Sequence, residues 1–558
     1  MKKIITLIIV SLLSISLSYA QESDTLQREV TITKEFTPTV RDAEKINTLP
    51  SIATPTFNTR SVNYCYDATS TAVPTTATNV NIPYLPKYET GAKRHRGYLD
   101  LGLGTYLSMF ANAGYHILDT PHDQLNIKAQ FSSLNWDIPV NSHSSMVSDD
   151  DVTHQTFYDA RAGLRYTHTF DNDISVSLQG AYRYINFNYY GVAGNALRTT
   201  THPFNTVNNF YGEVRVDNKE AQHYDYEHWY VTAGYSLYKN SRGAYTDNMS
   251  NEHHAYAKSA YDYMLDEFWS IGGEVNLDYL QYNGLLNKST QNIFMARLIP
   301  NITYRKNRLY FRAGFKTDIS VNDGTVFRFA PDIHFNWEFV ENYFLHADID
   351  GGKQLHTWND MSQYCLYFDP SLRVPSTYSP IDAQLGFRFR FIPELYLSAY
   401  AGYEVATSAL FQSAALSTQA IAWQGLEASC FKAGARINAD ILQYVTISLE
   451  AIYRHWTHDG AAISYNRPRW EGNANVAIHP HKQFDIELGY NMQLGRDFGA
   501  TYGTLNDIHN LQAMVTYHPA QWLSVFVQGN NLINCKYDYY YGMPAPRIQA
   551  MVGAELKF

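Results

Sequence analysis

The sequence predicts an all-β chain closed into a transmembrane antiparallel β-barrel of about 22 strands, with 20 as the alternative. Three observations predict it. The final residues alternate without a break, with Ile548, Ala550, Val552, Ala554, Leu556 and Phe558 on one face and Gln549, Met551, Gly553, Glu555 and Lys557 on the other. Such a strand has one face in oil and one in water. The same two-faced pattern recurs back to residue 96, and the chain opens with the layout of an export signal.

That signal comprises Met1, Lys2 and Lys3, an apolar run over residues 4–17, and a small-residue site at Ser18, Tyr19 and Ala20. Residues 1–20 therefore read as a secretory signal peptide cut after Ala20. A membrane anchor, the other reading, needs a run of roughly 20 apolar residues, longer than this one. No Cys follows the cut, which argues against a lipid anchor at the mature end.

Residues 21–95 hold Thr-, Pro- and Asn-rich stretches, 69–78 among them, and little sustained alternation. They read as an extended periplasmic leader and a candidate lumen-filling segment. One short exception, Glu29, Val30, Thr31, Ile32 and Thr33, is β-branched and extended in character. It is a candidate strand for pairing with a periplasmic partner, with the barrel itself, or with nothing.

From Arg96 onward, period-two alternation dominates. Phe484, Ile486, Leu488, Tyr490, Met492 and Leu494 oppose Asp485, Glu487, Gly489, Asn491 and Gln493. Val445, Ile447 and Leu449 oppose Thr446, Ser448 and Glu450, and Leu99, Leu101 and Leu103 oppose Asp100, Gly102 and Gly104. A helix would bury those charges. Short turns are expected at residues 171–173, 305–307, 341–342, 393–394, 480–482 and 519–520. Long polar loops are expected at 133–156, 189–223, 353–379 and 405–424. Short turns on the periplasmic side and long loops outside are the habit of outer-membrane barrels, with both termini periplasmic. The up-down parity slips once between residues 239 and 290, and an inconspicuous strand near Gly243 to Asn248 would repair it. The span of 96–558 leaves roughly 21 residues per strand and connection, a reasonable allotment.

Composition fits a barrel and excludes other classes. The chain is mildly polar on average, as expected when half of every strand faces a wet lumen. Its 45 Tyr, 28 Phe and 9 Trp supply interfacial girdles. The formal charge of −10 argues against a nucleic-acid partner, which needs a basic face. Cys65, Cys365, Cys430 and Cys535 lie far apart without zinc spacing, and either pair in an oxidising periplasm or sit as small apolar residues. Asp149, Asp150 and Asp151 are three adjacent acids without EF-hand spacing, better read as a solvated loop than a calcium site. No HExxH, GxSxG, Walker or Rossmann pattern is present. The expectation is a non-enzyme with no cofactor.

The closing segment carries a resemblance. Residues 523–532, ending in Asn530, Asn531 and Leu532, then the Tyr-rich stretch 537–541, then Pro546, Arg547 and the strand to Phe558, resemble the last hairpin of TonB-dependent receptors. The motifs cover about 35 residues; strand number and loop pattern extend the likeness more weakly to 96–558. The resemblance implies that Leu556 and Phe558 form an assembly signal read by the outer-membrane insertion machinery. It also implies an outer-membrane location in a Gram-negative bacterium, contact with lipid, and TonB or another periplasmic protein as partner of the leader. Residues 21–95 are too few and too unpatterned for that family's folded plug; residues 29–47 are similar to the leader of plugless relatives found in Bacteroidota.

Inner-face charges are the remaining candidates: Arg161, Arg165, Glu274, Asp278, Arg388, Arg390, Glu450, Arg454, Asp485 and Glu487, with Glu555 and Lys557 beyond them. They line a solute path or brace a solvated wall through ion pairs. Two functions follow. One is a solute or nutrient uptake or receptor barrel gated by the leader; the other is a non-transporting accessory or scaffold barrel of an envelope complex. A lumen this wide needs a filling, from the leader or from inward-folding loops.

Overall fold

The computed structural model describes residues 95–139, 152–188, 204–218, 228–241, 249–285, 292–412, 421–441, 444–458, 467–496, 506–540 and 543–558. The signal segment, the leader with Glu29 to Thr33, Cys65, the acidic run Asp149 to Asp151 and the strand expected at 243–248 lie outside the described residues.

In chain order the strands are β1 (Gly97–Gly104), β2 (Met109–Asp119), β3 (Asp123–Pro139), β4 (Val152–Thr169), β5 (Ile174–Asn188), β6 (Phe204–Asn218), β7 (His228–Asn240) and β8 (Ser250–Met264). There follow β9 (Trp269–Asn283), β10 (Asn292–Lys306), β11 (Leu309–Val321), β12 (Phe327–Val340), β13 (Tyr343–Gln354), β14 (Thr377–Ile392), β15 (Leu395–Gln412) and β16 (Trp423–Ile441). The last are β17 (Val445–His458), β18 (Trp470–His481), β19 (Phe484–Leu494), β20 (Ile508–Ala520), β21 (Leu523–Asn530), β22 (Asp538–Tyr540), β23 (Met543–Pro544) and β24 (Gln549–Lys557). One helix, α1 (Trp358–Tyr364), lies between β13 and β14.

β22 and β23 form a small hairpin of their own, and the other strands make one 22-stranded antiparallel sheet. β24 pairs with β21 on one side and β1 on the other, Leu556 meeting Leu523 and Leu99. That pairing closes the barrel and leaves no edge in lipid. Outward positions carry large exposed apolar side chains, among them Leu101 and Leu103, Ile271, Val275 and Leu277, Leu385 and Phe387, Val525 and Val527. Aromatics gather near the turn end of this face: Trp269, Trp337, Phe391, Tyr444, Trp522 and Phe558. Phe558 stacks on Tyr115 at 6.1 Å. An apolar band edged by aromatics is the surface a bilayer wets.

The turns expected at 171–173, 341–342 and 393–394 fall between paired strands, and those expected at 305–307, 480–482 and 519–520 begin early, on the last two residues of β10, β18 and β20. Asp173, Asn307 and Asn342 take left-handed φ of 61°, 48° and 68°, which short polar side chains tolerate best after glycine. The described residues contain 22 strands in the sheet, with β8 and β9 between β7 and β10. One expectation needs correction. The polar loops were drawn too wide. β3 runs to Pro139, β4 starts at Val152, β15 reaches Gln412, and all of β6 lies inside 189–223.

The physical reason is height. A strand needs about 9–11 residues to cross, whereas β15 and β16 have 18 and 19. Their far ends rise past the crossing height, and that of β15 is covered by protein, with Ala409, Leu410, Phe411 and Gln412 all buried, so the ladder persists where alternation fades. The seam is different, with 8 residues in β1 and in β21.

Candidate functional site

The loop at residues 355–376, joining β13 to β14, folds inward instead of standing in solvent. Thr357 caps α1: its hydroxyl oxygen accepts the backbone N–H of Asp360 at 3.1 Å, and the Asp360 carboxylate accepts the backbone N–H of Thr357 at 3.3 Å. Glu252, on the inner face of β8 and 1% exposed, accepts the backbone N–H of Trp358 with both oxygens at 2.9 Å. A buried carboxylate against otherwise unpaired helix N–H groups satisfies both partners.

The buried face of the loop is apolar. Trp358, Met361, Leu366 and Phe368 pack with Ile185 and Phe187 of β5, Tyr238 of β7, Leu280 and Tyr282 of β9, Ile293 of β10 and Leu410 of β15. β5 and β15 stand ten places apart in a ring of 22, nearly opposite one another. A loop that touches both crosses the mouth, so it is a lid. Each of its buried side chains contributes about 1.5–3 kcal/mol by removal from water.

Polar contacts fix the position of this lid. Asn209 of β6 donates to Asn359 at 2.6 Å, Tyr540 donates to the Tyr364 carbonyl at 2.8 Å, and Gln155 of β4 donates to the Tyr367 hydroxyl at 3.3 Å. Ile421 bridges Phe368 in parallel, its N–H bonded to the Tyr367 carbonyl at 2.8 Å. Cys365 ends the helix in a second cluster with Leu134, Trp136, Ile421 and Tyr540. Burial pushes its thiol up to about 12, which leaves it inert. Burial likewise holds His356 down to about 4, its ring Nε2 2.8 Å from the Thr377 hydroxyl. Cys365, Cys430 and Cys535 are free thiols.

Below the lid the inner wall is charged. The ten predicted charges lie on the face opposite the exposed apolar side chains, spread around the circumference in separate pairs. Arg161 shares Asp159 with Arg183 at 2.7 and 2.9 Å. Arg165 donates to Gln179 at 2.6 Å, Glu274 meets Arg312 at 3.1 Å and Asp278 meets His254 at 2.9 Å. Arg390 donates to the Pro393 carbonyl at 2.7 Å, and Arg388 stands across from Phe344. Glu450 pairs with Arg436 at 2.7 Å and Arg454 with Glu471 at 2.6 Å. Asp485 lies between His479 at 2.6 Å and His518 at 2.8 Å, with Glu487 next along that face.

Sequence reasoning missed the densest cluster. Asp332 of β12 gathers Arg312 at 3.1 Å, Lys316 at 3.7 Å and His334 at 3.4 Å. His334 also meets Asp348 at 2.8 Å, and Lys316 pairs with Asp350. The signal was available: Arg312, Lys316 and Asp318 alternate on one strand and Asp332 and His334 on the next.

Ser524, His518 and Asp485 line up, with 2.9 Å from hydroxyl to ring and 2.8 Å from ring to carboxylate. Ser524 is 4% exposed and sits in the β21 ladder. The hydroxyl is thus enclosed in the wall, where the ring and the carboxylate brace it. Among the described residues no three His, Cys, Asp or Glu side chains converge to hold a metal ion.

No protein-family model matches the chain, and neither does the sequence of any curated protein. Solved structures match it in fold. The siderophore receptor PirA from Acinetobacter baumannii superposes with a TM-score of 0.64 at 10% identity, over 84% of this chain and 81% of that one. The ferric enterobactin receptor PfeA in complex with BCV-L6 gives 0.64 at 11%, over 84% and 82%. The FrpB iron transporter from Neisseria meningitidis gives 0.62 at 9%, over 84% and 82%.

Proposed function

We propose that this chain is an outer-membrane barrel of the TonB-dependent receptor type, serving solute uptake or reception, and that the lid at 355–376 closes its loop-side mouth. The observation that carries the reading is the lid itself, seated on strands from both sides of a bore wide enough to leak without it. Both termini then face the periplasm. The leader at 21–95 gates the bore from below, and residues 29–33 offer TonB or another periplasmic protein a strand to pair with.

Planar-bilayer conductance tests this. Intact protein should conduct near zero, and replacing residues 358–374 by a short Gly-Ser linker should open a large, steady conductance. Equal, open-pore conductance from both proteins would remove the lid as closure. Deleting 21–95 separates the leader's part, since unchanged conductance in that variant means it is no gate.

One observation favours the accessory or scaffold reading: the lid buries an aromatic core and the inner wall is largely ion-paired, both marks of a barrel built to stay shut. Affinity purification from gently solubilised membranes decides between them. A stoichiometric partner set that survives washing supports the scaffold; recovery of the barrel alone supports uptake.

A further inference from the structure

At the C-terminal hinge of the lid a pocket of about 340 Å³ opens between the lid, the connection from β11 to β12 and the loop-side ends of β12 to β15. Arg328, Lys353 and Arg373 line it against a single carboxylate, Asp323. Lys353 is satisfied: its ammonium meets Asp323 at 2.8 Å and the Ser320 hydroxyl at 2.8 Å. Arg373, from the lid, pairs with Asp323 and donates to the Asn322 carbonyl at 3.2 Å. Arg328 lies 4.1 Å over the Tyr378 ring, its end nitrogens only loosely on Thr407 and Thr325 at 3.3 and 3.4 Å. The Nε donors of both Arg328 and Arg373 are buried without an acceptor. The neighbouring Asp318 does not neutralise the site, because it is taken by Arg297 at 2.6 Å and by the Lys353 backbone N–H at 2.7 Å.

We infer that this pocket binds a small soluble polyanion, a solute bearing several carboxylate or phosphate oxygens, at the lid hinge. Three cations against one carboxylate leave two positive charges partly out of water, an expensive arrangement without a counter-charge. Guanidinium forks match carboxylate and phosphate oxygens two at a time. The volume lies at the small end of the range for solute sites. Arg328 points to the bore, since Phe327 and Phe329 beside it are the exposed, outward positions, so the anion arrives by water and not from the bilayer. The site also reaches the lid. An anion held by Arg373 and Lys353 competes with Asp323, and on the reading that the lid closes the mouth, occupancy loosens the hinge.

Calorimetric titration of the detergent-solubilised full chain at low ionic strength, with citrate and separately with inorganic phosphate, tests the site. Binding of either probe supports it, and which one binds names the oxygen class. Arg328→Gln and Arg373→Gln should each weaken binding about tenfold or more. Asp323→Asn should tighten it, a gain that a misfolded variant cannot imitate. Heat-modifiable gel mobility reports an intact barrel in every variant. No binding of either probe at ~10 mM, some 2.7 kcal/mol of standard affinity, or equal binding by wild type and both arginine variants, overturns the proposal. Conductance unchanged by lid shortening, with binding intact, would remove the gating reading and leave the site.

Discussion

The lower bore and the mouth are built from the same strands and have opposite chemistry. Along the inner face of β9 the residues run Glu274, Asn276, Asp278, then Leu280 and Tyr282; along β5 they run Arg183, then Ile185 and Phe187. Each strand changes from charged to apolar on its wet side as it nears the loop end. Outward positions change the opposite way, from Val275, Leu277 and Tyr279 to Gln281 and Asn283 on β9 and from Leu178, Tyr182 and Tyr184 to Asn186 on β5, as the strands leave the apolar band for water. The difference teaches that inner-face polarity reports what covers the wall: water below, the lid above.

The sharpest way to break this contrast is to remove the lid's anchor. Trp358→Ala deletes a fully buried indole and should destabilise lid docking by about 3–5 kcal/mol. Limited proteolysis should then cut residues 355–376 rapidly while the heat-modifiable band of the barrel persists. If the lid stays protected, the mouth does not depend on its apolar core.

A lower-bore counterpart comes next. Asp332→Ala leaves Arg312, Lys316 and His334 without their shared carboxylate and should cost about 3–5 kcal/mol at most. The loss should appear in the heat-modifiable transition and not in lid proteolysis. Coupled losses would mean the two regions are one unit.

Acid should loosen the mouth before the wall. His356 is held down to about 4 by burial, against 6.5 for the free ring, so the docked lid favours the neutral imidazole. That contribution is complete above pH ~6.5, falls as pH drops, and is gone near pH 4, an amplitude of at most about 3 kcal/mol. Lid proteolysis should accelerate from pH 7 to pH 5, and His356→Gln should flatten the trend.

The smallest effect is expected from Arg436→Gln. Its partner Glu450 is 2.7 Å away, but the arginine side chain is half exposed, and such pairs are worth under about 1 kcal/mol. A large change in stability or lid protection would show that this pair belongs to a wider network.

Much of the fold was legible, because lipid on one side and water on the other imposes period two on every strand. The turns at Asp173, Asn307 and Asn342 and the closing strand to Phe558 followed from it. β6 was lost in an expected loop because its inner face carries Asn205, Asn209, Glu213 and Asp217 and its loop end adds Asn208 on the other face, so a polar count hides the outward Phe210 and Val214. The lid was legible and passed over. Residues 353–379 looked like a solvated loop, yet Trp358, Met361, Leu366, Tyr367 and Phe368 are too many apolar side chains to stand in water. The pocket was not readable, since Asp323, Arg328 and Arg373 meet only through register and the lid's return path.

The unequal wall decides how the lid is held. At ~3.4 Å per residue and ~40° tilt, the 19 residues of β16 rise roughly 45–50 Å, and the 8 of β1 only about 20 Å. The ladder is thus tall on the β14 to β16 flank, from which the lid hinge hangs, and low at the seam. There the hairpin of β22 and β23 stands in for the missing ladder, its Tyr540 holding the Tyr364 carbonyl of the lid at 2.8 Å, so the lid rests on strand at one flank and on a folded connection at the other.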